Sequence, residues 1–250
     1  MAKQKGILPI EGTLGNITYY KLKEGHFIKR KSSISAHRFA NDPAFERARE
    51  NNREFGKSVK AAKLFHTAFQ SVALTIADFR MFSRLVQVML KMVKTDAVNP
   101  RGQRRLLYDN AKLMEGFNFN KNTTLESILF VPFAITADKA TGISGIELPA
   151  FVPSERIVAP NGATHFRFVF VIASIDFEKG QYAANNCYSD FLAFSSTTIP
   201  PLKLGFILSD MQSNPWFICV GITFYQEVNN IHYLSNNGAY NAMAVAKVDA

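Results

Sequence analysis

The sequence predicts an α+β chain in which a basic N-terminal β-hairpin and a helical unit precede an antiparallel β-sandwich of immunoglobulin-like or jelly-roll type. Three observations predict it. Apolar residues recur at helical steps from Asp42 to about Met114, and after Gly116 the period changes to the alternation of strands. Charge divides at the same place: residues 1–115 carry 22 Lys and Arg against 10 Asp and Glu, whereas residues 116–250 carry 7 against 10. The chain is accordingly divided into a hairpin arm and connector (1–41), a helical unit (42–116) and a β-domain (117–250).

With 250 residues, 47% of them hydrophobic, there is ample material for a core. Twenty-two Phe against a single Trp, many of them in short apolar runs, suit the interior of packed sheets. The start, MAKQKGILPIEG, lacks an apolar stretch of signal-peptide length, and no segment reaches the roughly 18 apolar residues of a membrane-spanning helix. The expectation is a chain made in the cytoplasm, with release or export by another route left open.

Taken in order, LGNITYYKLK and HFIKRK alternate around Glu24-Gly25 and predict a hairpin, made basic by Lys21, Lys23, Lys29, Arg30 and Lys31. A lone hairpin is marginal in water, so it needs a surface to pair with or pack on. Asp42-Pro43 is a helix start: Asp accepts from a free N–H of the first turn, and Pro lacks an N–H that would go unpaired there. Phe45, Ala48, Phe55, Val59, Ala62, Phe65 or His66, and Phe69 then form a stripe, opposite a face on which Glu46, Glu50 and Glu54 alternate with Arg47, Arg49 and Arg53. Residues 78–93 predict a second helix with Phe82, Leu85, Met89 and Met92 or Val93 inward, and Asn99-Pro100 a third, ended by Gly116. Nine apolar runs between Gly, Pro, Asn, Asp and Ser punctuation follow as strands.

The chemistry-bearing residues are sparse. His26, His37, His66, His165 and His232 lie far apart, with no HxH or HExxH spacing, so a metal site would need them gathered by the fold, and none is expected. Cys187 and Cys219 lack CxxC spacing and read as two buried thiols. GTLG at residues 12–15 precedes a strand and offers no helix N-terminus to a phosphate. Asp176 and Glu178, the nearest carboxylate pair of the second half, sit in a DFEKG turn, where a solvated loop is the default reading. No catalytic residue and no cofactor is expected, and the chain is read as a non-enzyme.

The expected function is that of a self-assembling structural subunit of a filament, tube or virion-like particle, its copies joined by N-terminal strand exchange. Ile7, Leu8 and Ile10 would insert, Tyr19, Tyr20 and Phe27 would supply contact aromatics, and Arg47, Arg49 and Arg53 would meet acidic groups of a neighbour. The alternative is a nucleic-acid binder that uses the basic half. A ligand-binding β-module would need exposed aromatics, and Trp216 lies in WFICVGITF, which reads as a core strand.

At GTLGNITYYK, DPAFERARENNREFG, NPRG, FYQEVNN and NNGAYNAMAVAKVD the chain resembles a family of Bacteroidota hypothetical proteins, over nearly its full length. That resemblance implies coherent segments and no activity, and no functional residue is carried over from it.

Overall fold

The computed structural model describes residues 2–5, 9–31, 34–208 and 213–249, which form two compact units, residues 1–51 and 52–250. The chain is α+β, with antiparallel sheets and a minority of helix.

In the first unit β1 (Ala2–Lys3), β2 (Gly12–Leu14), β3 (Ile17–Leu22) and β4 (Gly25–Arg30) form an antiparallel sheet in the order β1-β4-β3-β2. β3 and β4 pair from Ile17 with Arg30 to Leu22 with Gly25, and Gly25 takes a φ of 126° that a side chain would resist. The short helix α1 (Ala36–Asn41) is capped by Ser35, whose Oγ accepts the Arg38 N–H at 3.1 Å. Asp42 then accepts the Ala44 N–H at 2.9 Å, and Pro43 opens a 3-10 turn, Pro43–Phe45, that runs into α2 (Glu46–Ala68). The chain thus turns helical at the Asp-Pro step.

In the second unit α2 continues, followed by α3 (Gln70–Ala73) and α4 (Met81–Lys94). The buried face of α2 comprises Glu54, Ser58, Ala61, Ala62, Phe65 and Ala68, whereas Phe55 is 52% exposed. The expected stripe is therefore rotated at its start. With about 3.6 residues per turn, Glu54 lies just over three whole turns before Phe65, while Phe55 falls nearly a quarter turn short of three. Glu54 is not wasted there, because its Oε1 accepts the Gly102 N–H at 2.8 Å. On α4 the inward residues are Met81, Leu85, Val86, Met89, Met92 and Val93, and Phe82 is again outside.

The third helix does not form from Asn99-Pro100; only a 3-10 helix, Tyr108–Met114, appears. The preceding loop has other partners for its backbone. Asp96 accepts the N–H groups of Val98, Asn99 and Arg105, and Lys57 Nζ donates to the carbonyls of Gln103 and Arg104.

After a short helix α5 (Leu125–Ile128) come β5 (Ala134–Asp138), β6 (Ile143–Leu148), α6 (Pro153–Arg156), β7 (His165–Asp176), β8 (Gln181–Tyr188), β9 (Leu192–Ala193), β10 (Leu202–Ile207), β11 (Trp216–Val228), β12 (Ile231–Leu234) and β13 (Ala242–Asp249). These nine strands among the described residues make two antiparallel sheets. In the six-stranded one, β11 and β7 are central, β12 and β13 flank β11, and β8 and β9 flank β7; the three-stranded one has the order β10-β6-β5.

Both faces of the large sheet are covered, which is why β7 and β11 are apolar almost without interruption. One face, with Val169, Val171, Phe217, Cys219 and Met243, shares a core with Phe65, Phe69, Leu85 and Met89 of the helices. The other, with Phe168, Phe170, Trp216, Ile218 and Val220, shares a core with Ile146 and Leu148 of the small sheet. Trp216 is fully buried, as its strand predicts. Both cysteines are free thiols; Cys219 is buried, and burial pushes its thiol pKa up. Among the described residues no helix is long and apolar enough to cross a membrane.

Candidate functional site

Of the residues expected to join subunits, Ile7 and Leu8 lie outside the described residues. Ile10 is 53% exposed, with its N–H donated to Gln4 Oε1 and its carbonyl accepting from Gln4 Nε2, both at 3.1 Å. Tyr20 and Phe27 are cross-strand partners whose rings stack at 6.0 Å, with Lys29 Nζ 5.3 Å from the Tyr20 ring; Tyr19 faces Ile28 on the opposite side of the sheet. All three aromatics are half-buried, and no described residue from 2 to 51 is buried. Arg47 and Arg53 are exposed. Arg49 is committed within its own unit, donating from Nη1 to the carbonyls of Phe39 at 2.8 Å and Asp42 at 2.9 Å.

A groove of about 720 Å³ opens on the second unit. Ala61, Val93 and Phe177 contribute an apolar floor, and Lys60, Lys63 and Arg105 a cationic rim. Close by, Asp176 is buried at the end of β7, where it accepts the N–H groups of Glu178 and Lys179 and the Tyr108 hydroxyl. Those bonds, led by the Lys179 N–H, hold its carboxyl below the usual range. The Asp176 carboxylate thus closes a turn, and Glu178 stands exposed beside Arg105 at 3.8 Å.

Two of the scattered histidines do come together. β11 and β12 meet through Asn229 and Asn230, both at positive φ (53° and 61°), as a type I′ turn requires. That turn sets Glu227 opposite His232, and the pairing of β7 with β11 sets His165 opposite Tyr225, two residues before Glu227 on the same face. Glu227 Oε2 lies 3.3 Å from His165 Nε2 and 4.0 Å from His232 Nε2. The two imidazoles meet edge to face at 4.7 Å, and His232 stacks on Phe191 at 3.9 Å. Thr164 Oγ1 accepts the Glu227 N–H at 2.8 Å and lies 3.0 Å from His165 Nδ1. The three side chains are partly buried, and their ligand atoms all lie within 4.8 Å of one another.

Spacing in the sequence conceals this group, because 62 positions separate His165 from Glu227. One local signal was present. In EVNNIH an Asn-Asn pair between apolar residues marks a two-residue turn, and counting outward from it places Glu227 against His232. Comparison with protein-family models, with curated proteins and with solved structures returns no match.

Proposed function

We propose that this chain is a structural subunit that assembles with copies of itself into a filament, tube or virion-like particle, its N-terminal strands joining one copy to the next. The observation that carries the reading is the N-terminal sheet, in which Leu14 and Ile17 lie exposed, as does Ile10 in the loop before β2, and no described residue is buried. A small sheet with no buried residue among those described lacks much of the main stabilising contribution to folding, and a neighbouring subunit would supply further cover. Among the described residues its edge strands are β1 and β2, of two and three residues, and a strand from another copy would extend such an edge. The surplus of acidic residues beyond position 116 complements the basic N-terminal half, which suits a head-to-tail contact. Among the described residues, nine antiparallel strands in two sheets with one shared core support a sandwich of immunoglobulin-like or jelly-roll type as the body of such a subunit.

The test compares the full chain with an Ile10→Asp/Leu14→Asp double variant by light scattering. Both positions are more than half exposed, so the variant is expected to keep its fold and lose its large particles. Particles of unchanged mass in the variant would remove the N-terminal sheet from the interface.

A second reading, nucleic-acid binding through the basic half, is favoured by the groove that Lys60, Lys63 and Arg105 rim over an apolar floor. Its signature is an oligonucleotide affinity that falls steeply with salt and drops in a Lys60→Ala/Lys63→Ala variant. Salt-independent or absent binding discards it.

A further inference from the structure

We infer that His165, Glu227 and His232 form a zinc site, held at the end of the large sheet where β7, β11 and β12 lie side by side. This stands apart from the assembly reading, and either can fail without the other.

The donor set defines the ligand class. Two imidazole nitrogens with one carboxylate oxygen match the ligands of zinc and its first-row neighbours, whereas calcium and magnesium take oxygen ligands almost throughout. Zinc bonds of about 2.0–2.2 Å place tetrahedral ligands about 3.4 Å apart. Glu227 Oε2 already stands at 3.3 Å and 4.0 Å from the two Nε2 atoms, and small side-chain rotations bring all three onto one ion.

Three further features prepare the donors. The Thr164 hydroxyl at His165 Nδ1 occupies that nitrogen and turns Nε2 toward Glu227, which is the outer-shell arrangement that orients a ligating imidazole. Stacking against Phe191, with rings only 10° from parallel, fixes the plane of His232. His232 Nε2 is buried from solvent without a hydrogen-bond partner among the described residues, since Glu227 Oε2 at 4.0 Å is beyond bonding distance. An ion between the three side chains would satisfy that nitrogen. Three protein ligands leave a fourth position to water or to a further donor, as in zinc sites that bind or activate a small molecule.

The test uses the 250-residue chain without a tag, stripped with a chelator and titrated with zinc chloride by calorimetry, with zinc content checked by atomic emission. The expected result is one zinc per chain. His165→Ala and His232→Ala should each weaken binding by roughly a hundredfold, while His37→Ala, at an exposed residue outside the site, leaves it unchanged. Should a histidine variant fail to fold, the near-isosteric Glu227→Gln keeps the assignment testable, because zinc should raise the thermal midpoint of the wild-type chain and not that of this variant. Absence of stoichiometric zinc in the wild-type chain, or unchanged affinity in both histidine variants, overturns the site.

Discussion

Glu227 and His232 are register partners across the Asn229–Asn230 turn, and the same turn fixes which face of the sheet both occupy. A slip of one residue would send one of them to the opposite face.

The turn is therefore expected to matter twice. Alanine at both Asn229 and Asn230 forces a left-handed conformation on residues that resist it, at about 1–2 kcal/mol each. Urea denaturation should show that loss, and zinc affinity should fall with it. Asn230→Gly, which suits a type I′ turn, should keep both stability and affinity.

The face of α2 makes a paired prediction. Phe65 is fully buried and meets Phe217 edge to face at 5.3 Å, so Phe65→Ala should cost about 3–5 kcal/mol. Phe55, half exposed, should tolerate alanine within about 0.5 kcal/mol. Equal costs in chemical denaturation would mean that the helix is turned the other way.

Gly238 sits at φ 80°, and a Cβ there would stand 2.4 Å from the Thr75 carbonyl oxygen. Backbone does not yield as a flexible side chain would, so Gly238→Ala should lower stability by at least about 1–3 kcal/mol. A thermal midpoint equal to that of the wild-type chain would contradict the close approach of these two segments.

Acid sensitivity follows from the carboxylates that organise loops. The Arg105 N–H and the Asn99 side chain hold Asp96 well below the ordinary carboxylate range. Burial pushes Asp78 up, but the Lys121 N–H, the Arg84 guanidinium and the Arg80 N–H outweigh it and leave the group depressed. A carboxyl depressed in the fold binds its proton more readily when unfolded, so its contribution is complete above the ordinary value and is lost as pH falls toward the folded one. Thermal midpoints taken from about pH 7 down to about pH 3 should drop for the wild-type chain, and Asp96→Asn should start lower and fall less steeply. Identical pH profiles would mean that Asp96 does not contribute to the acid sensitivity of the fold.

Much of the architecture is legible in the residues, because it depends on local signals. Asp42-Pro43 announces a helix start through a side chain that caps its own backbone, and the nine strand-like runs after Gly116 correspond to nine strands among the described residues. What the sequence conceals depends on distant partners. Nothing near Glu54 says that a carboxylate will face inward, since its reason is the Gly102 N–H, 48 residues away. The segment after Asn99-Pro100 looks like a helix until Asp96 takes the Arg105 N–H and Lys57 the carbonyls of Gln103 and Arg104. Likewise the His165, Glu227 and His232 group needs the register of β7 on β11, which two apolar strands with both faces covered leave unmarked.

The mass of the 250-residue chain over a dilution series, by light scattering at moderate salt with negative-stain images of the same samples, bears most directly on the proposal of a self-assembling subunit. Regular particles many times heavier than the 28.0 kDa chain are the expected result. A mass of one chain at every concentration would contradict it.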